Sequence, residues 1–110
     1  MGSNRRYPHH AGQLAQERDL RAARTRGPLH SLTDEQLALR SHVVSIAPAY
    51  ANLWALAWLR FGDTDVRATV RVLRWTSDAV GVSVEIDGDW LRCWIWQGAA
   101  TRIESREAAW

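Results

Sequence analysis

The run Val80-Gly81-Val82-Ser83-Val84-Glu85-Ile86-Asp87-Gly88-Asp89-Trp90-Leu91-Arg92-Cys93-Trp94-Ile95-Trp96 decides how this chain folds. Asp-Gly between two alternating apolar segments is a strong signal for a two-residue β-hairpin, because such turns need positive φ at their centre. A turn at Asp87-Gly88 pairs Ile86 with Asp89, Val84 with Leu91, Val82 with Cys93 and Val80 with Ile95. Side chains alternate along a strand with period two. One face therefore carries Val80, Val82, Val84, Ile86, Leu91, Cys93 and Ile95, the predicted core. The other carries Gly81, Ser83, Glu85, Trp90, Arg92, Trp94 and Trp96.

The preceding segment obeys the same rule. Val66, Ala68, Val70 and Val72 alternate with Arg67, Thr69 and Arg71. Matching the apolar sets requires an odd-length loop near Thr76-Ser77-Asp78, with a bulge there. Leu73 and Trp75 are then expected on the tryptophan face. Ala49 to Phe61 supports two readings. Tyr50, Trp54 and Trp58 at i,i+4 spacing, with Gly62 as a C-cap, argue for a helix. A turn over Gly62-Asp63-Thr64-Asp65 argues for a strand from about Leu56, pairing Phe61 with Val66, Leu59 with Ala68 and Ala57 with Val70. The strand is favoured because it explains turn and register together. Gln97-Gly98-Ala99-Ala100 reads as a tight corner, and Thr101 to Glu104 as a short last strand.

The N-terminal half reads differently. Residues 1–12 are nearly devoid of apolar side chains and are expected to be disordered. Gln13 to Arg26 has good helix formers and a Glu17–Arg21 pair, and Gly27-Pro28 ends it. Its apolar face is only Leu14, Leu20 and alanines, so alone it is marginal. Thr33-Asp34-Glu35-Gln36 matches a capping box for a short helix from Asp34 to about Arg40. The chain thus divides into a basic, largely disordered or partly helical arm (1–30), a short helix and linker (31–48), a β domain (49–105) and a frayed tail (106–110). The fold class expected is mostly β, α+β overall: a small barrel or bent antiparallel meander preceded by one or two short helices.

At 110 residues this is one domain. The best apolar run, Ala47 to Leu59, is too short for a membrane span, and an apolar leader is not seen at the N-terminus. A single cysteine forms no internal disulfide and suits a cytoplasmic protein. All 14 basic residues are arginines. Arginine suits bidentate phosphate contacts, but a GC-rich genome also favours it over lysine. Residues 1–30 hold six arginines against Glu17 and Asp19, a balance of +4; residues 31–65 come to −2 and residues 66–110 to zero.

Two resemblances follow. Strand, long hairpin, meander, small-residue corner and short final strand over about residues 55–104 resemble an SH3-like small β-barrel. The chain also resembles a family of short uncharacterised proteins of high-GC bacteria. The matching pieces are Asn4-Arg5-Arg6-Tyr7, Gly27-Pro28-Leu29-His30-Ser31-Leu32-Thr33, Trp58-Leu59-Arg60-Phe61-Gly62-Asp63-Thr64 and Arg92-Cys93-Trp94-Ile95-Trp96-Gln97-Gly98-Ala99. Asp65 stands where proline is expected in that family. The resemblance implies the strand reading and brings no activity with it.

Tryptophan is the unusual feature. Trp54, Trp58, Trp75, Trp90, Trp94 and Trp96 are all expected opposite the valine face. Each ring buries roughly 150–250 Å² when covered, so six exposed ones exceed what a monomer usually leaves open. Either the segments around Leu20 to Ile46 fold over that face, with Trp94 shielding Gly81, or it meets a partner. Arginine beside aromatic rings suits single-stranded nucleic acid, with phosphates meeting charge and bases stacking. The candidate binding face is Arg67, Arg71, Trp90, Arg92, Trp94 and Trp96. The candidate basic arm is Arg5, Arg6, Arg18, Arg21, Arg24 and Arg26. The alternative is a protein-interaction module or homodimer using the tryptophans as an apolar interface.

Cys93 falls on the core face, where a thiol is inert. The four histidines lie in the N-terminal half, and the acidic residues sit mostly in predicted turns. No metal-ligand spacing, phosphate loop or nucleophile motif is present. A non-catalytic module without a cofactor is expected.

Overall fold

The computed structural model describes residues 8–109. In chain order the elements are α1 (Pro8–Arg24), α2 (Asp34–Leu37), β1 (Ser45–Ile46), β2 (Trp54–Phe61), β3 (Thr64–Trp75), β4 (Ala79–Ile86), β5 (Asp89–Trp96), a 3-10 turn (Gln97–Ala99), β6 (Ala100–Ile103) and a second 3-10 turn (Arg106–Ala109). The strands form one antiparallel sheet in the order β5-β4-β3-β2-β6, with β1 paired to the end of β3. The described residues are mostly β, with one helix and one short helix.

The β4–β5 hairpin has the register expected from Asp87-Gly88. Ile86 faces Asp89, Val84 faces Leu91, Val82 faces Cys93 and Val80 faces Ile95. Asp87 and Gly88 both take positive φ, 51° and 84°. Ala55, Ala57, Leu59 and Phe61 of β2 join Val66, Ala68, Val70 and Val72 of β3 and the inward residues of β4 and β5 in one buried core. Each fully buried Leu, Val or Phe side chain contributes about 1.5–3 kcal/mol relative to exposure.

Three local features differ from expectation. First, β2 begins at Trp54, and it joins β3 through a two-residue turn, Gly62-Asp63, so Phe61 faces Thr64 and Leu59 faces Val66. The expected pairing is displaced by two residues, which leaves the faces unchanged because the side-chain period is two. Gly62 supplies a φ of 57° for this short turn. Second, the irregularity between β3 and β4 lies inside β3. Val72 faces Val82, the register then shifts, and Arg74 faces Gly81. Trp75 therefore turns to the valine side, opposite Val80, and packs against the core. Arg74 takes its place among the tryptophans. The connection Thr76-Ser77-Asp78 needs no bulge, because the Thr76 hydroxyl accepts from the Asp78 and Ala79 N–H groups at 3.2 and 3.0 Å.

Third, helix α1 runs from Pro8 to Arg24, so residues 8–12 are helical. Proline is favoured in a first turn, where its missing N–H costs nothing. Residues 1–7 lie outside the described residues. The helix is built into the domain. The ladder between β3 and β4 begins at Arg71, which leaves the Thr64–Val70 half of β3 without β4 beside it. Gln16 of α1 fills that gap: its Oε1 accepts from the Thr69 N–H at 2.9 Å, and its Nε2 donates to Thr69 Oγ1 at 3.2 Å. One turn further on, Leu20 and Ala23 are buried in the core. Arg21 and Arg24 then pair with Asp87 (3.1 Å) and Asp89 (3.0 Å) at the β4–β5 turn.

The segment after α1 bridges the outer edges of β2 and β5. Gly62 N–H donates to the Pro28 C=O at 3.1 Å, and His30 N–H to the Arg60 C=O at 2.7 Å. Leu32 N–H donates to the Trp94 C=O at 3.0 Å, while Trp94 N–H donates to Ser31 Oγ at 2.9 Å. The sheet thereby curls around its core. The capping box at Thr33 and Gln36 is present, but α2 stops at Leu37, where Ala38 adopts a left-handed conformation. Residues 106–109, expected to fray, form a 3-10 turn whose Arg106 is partly buried.

Candidate functional site

Pairing across five strands aligns Ile103, Trp54, Arg71, Ser83 and Arg92 in one row on the face opposite the core. Direct neighbours in such a row have Cβ atoms about 4.5–5.5 Å apart. Arg71 and Arg92 therefore flank Ser83. The next row holds Arg74, Gly81 and Trp94. Along β5, Trp90 and Trp94 stand two residues to either side of Arg92, on the same face.

The centre of this patch is low. Ser83 is buried and Gly81 has no side chain. A Cβ on Gly81 would lie 2.8 Å from Arg74 Cγ and 3.4 Å from Trp94 Cε2. The Arg74 stem and the Trp94 ring thus lie over the glycine, and Trp94 shields it as expected. Beside them Ser31, Arg74, Gly81, Arg92 and Trp94 line a shallow cleft of about 260 Å³.

The charge of the patch is uncompensated locally. Among the described residues, Arg74 and Arg92 form no ion pair and no side-chain hydrogen bond, and both are exposed. Arg71 donates to the Ala49 C=O, at 3.5 Å. The adjacent carboxylate, Glu85, is engaged by Arg106 at 3.1 Å.

The expected site residues separate into groups. Arg71, Arg92, Trp94 and Trp90 come together. Arg67 stands opposite Trp58, and these two share a different groove with Arg26. Trp96 lies at the far end of β5, opposite Ala79. The tryptophans do not form one open surface: Trp58, Trp90 and Trp96 are 53, 46 and 45% exposed, whereas Trp54, Trp75 and Trp94 are half-buried. The arginines of the basic arm have different surroundings. Arg21 and Arg24 are committed to Asp87 and Asp89, and Arg18 lies 3.9 Å from Asp19. Arg5 and Arg6 lie outside the described residues.

Arg74 and Arg106 belong to this face and are not evident from sequence. Arg74 arrives there through the register shift in β3, and Arg106 through a turn in the expected tail. Cys93 is buried, and loss of solvent pushes its pKa up to about 11. Among the described residues, no three His, Cys, Asp or Glu side chains group to hold a metal ion, and no helix is long and apolar enough to cross a membrane. Comparison with protein-family models, with curated proteins and with solved structures found no match to this chain.

Proposed function

We propose that this chain is a non-catalytic binding module that holds single-stranded nucleic acid on the sheet face around Arg71, Arg74 and Arg92. The observation that carries the reading is the pair of rows described above, in which three arginines without carboxylate partners among the described residues surround Ser83 and Gly81. Guanidinium groups match phosphate geometry, and the Trp94 ring beside Arg92 offers a stacking surface. The charge comes from the sheet face rather than from Arg21 and Arg24, whose acidic partners neutralise them.

The strand order supports an SH3-like small barrel: a four-strand meander, a 3-10 turn and a last strand returning to the first. Fold alone does not assign the function. The lone buried thiol of Cys93 suits a reducing cytoplasm.

Tryptophan fluorescence during titration with short single-stranded and duplex oligonucleotides tests the reading. Saturable quenching by single strands is expected. Three neutralised phosphates give a slope of about −2 in log affinity against log salt. Arg92→Ala and Arg74→Ala should each reduce the magnitude of that slope by about 0.7. Absence of quenching at low salt overturns the reading. Salt-independent association, with an increased particle mass in solution, would establish a protein interface in its place.

A further inference from the structure

We propose that Trp54, Trp90 and Glu85 form a cation-binding cage, that Arg106 of the same chain occupies it, and that an arginine of a basic peptide partner takes the place of Arg106. The inference goes beyond the nucleic-acid reading and stands without it. The guanidinium carbon of Arg106 lies 5.4 Å from the Trp54 ring centroid and 6.0 Å from that of Trp90. Its Nη2 lies 3.1 Å from Glu85 Oε1. Two ring faces and one carboxylate are the elements that recognise an organic cation.

The cage walls belong to three strands: Trp54 to β2, Glu85 to β4 and Trp90 to β5. They are held by the sheet, independently of their occupant. Arg106, by contrast, belongs to a single 3-10 turn, and Glu104, Ser105, Glu107 and Ala108 around it are exposed. The site is also reachable. The side chains of Arg106 and Glu85 retain 35 and 37% of their accessible surface. A small cavity of about 140 Å³ opens beside them, and Glu17 adds a second carboxylate to its wall. That local excess of acid excludes phosphate and favours a guanidinium. Arg106 competes from an effective concentration in the millimolar range, so an isolated arginine binds the intact chain weakly.

The test uses Arg106→Ala and acetyl-arginine amide as the probe, with acetyl-citrulline amide as its neutral isostere. Binding is read from the indole N–H resonances of Trp54 and Trp90. The variant should show saturable shifts of both indoles, with about tenfold tighter binding than the intact chain. Citrulline should produce no saturable shift, and adding Glu85→Gln should weaken arginine binding by about tenfold. A folded Arg106→Ala variant that shows no saturable shift overturns the proposal, as does citrulline binding equal to arginine. If that variant does not fold, the intact chain decides at high probe concentration. Displacement must then shift the Arg106 Nε–H resonance together with both indoles, and failure to do so overturns the proposal. The titration contains no nucleic acid and leaves Arg71, Arg74 and Arg92 unchanged, so its outcome is separate from that of the oligonucleotide experiment.

Discussion

Gly27 and Gly62 touch backbone to backbone. A Cβ on Gly27 would lie 2.8 Å from Gly62 Cα, and one on Gly62 would lie 2.6 Å from the Arg26 carbonyl oxygen. This contact lets the chain leaving α1 cross directly over the β2–β3 turn. The Gly62 N–H then meets the Pro28 C=O, and Leu29 is set opposite Phe61. One close approach thus starts the segment that ties β2 to β5.

Gly62→Ala should therefore destabilise the domain by at least about 2 kcal/mol, from left-handed strain plus collision with the Arg26 carbonyl. Gly88 also has positive φ, but nothing lies within 4 Å of an added Cβ. Gly88→Ala should cost about 1 kcal/mol, from strain alone. Urea unfolding of both variants checks this. Equal losses would mean that Gly62 is not in tight contact with Arg26 and Gly27.

The two faces of β4 predict unequal outcomes for adjacent substitutions. Val82→Asp places an unpaired carboxylate in the core and should cost about 3 kcal/mol or more. Ser83 is buried but faces the other way, and a carboxylate there lies between Arg71 and Arg92, so Ser83→Asp should cost less than Val82→Asp, about 1–3 kcal/mol. It should also remove oligonucleotide binding by neutralising the patch. Thermal denaturation separates the pair, and equal effects would contradict the face assignment.

Gln16 substitutes for a strand at the open half of β3. Gln16→Ala leaves the Thr69 N–H without its acceptor and should cost about 1–3 kcal/mol. Gln16→Glu keeps an acceptor oxygen and should cost less. Hydrogen exchange at the Thr69 amide is the direct readout: it should accelerate in the alanine variant and remain near wild type in the glutamate variant.

Burial raises the Cys93 thiol from 9.0 to about 11. The folded chain therefore holds its proton where the unfolded chain has lost it, so the stabilising contribution is complete below pH 9 and declines as pH rises towards 11. Cys93→Ala should flatten the stability profile in that window. Reaction with iodoacetamide at neutral pH should occur only on unfolding. Rapid labelling of the native chain would place Cys93 outside the core.

Much of this architecture is local and therefore legible. Asp87-Gly88 sets the hairpin register because turn chemistry and period-two alternation act within a few residues. The capping box of Thr33 and Gln36 is legible for the same reason. The same alternation brings Arg71, Arg92, Trp90 and Trp94 to one face, so part of the candidate site follows from parity alone.

What tertiary structure decided lies where distant parts meet. The shift at Leu73 puts Trp75 against the core and Arg74 over Gly81, and the alternation of β3 alone does not locate that step. Helix α1 has a weak apolar face, and its polar partners are remote: Gln16 bonds Thr69 across 53 residues and Arg24 bonds Asp89 across 65. The half of β3 not paired with β4 creates the place where that helix docks. Arg106 likewise acquires its surroundings only when β2, β4 and β5 bring Trp54, Glu85 and Trp90 together. Pattern along the chain determined which residues face inward. Packing between strands and helix decided which charges meet partners and which remain on the surface.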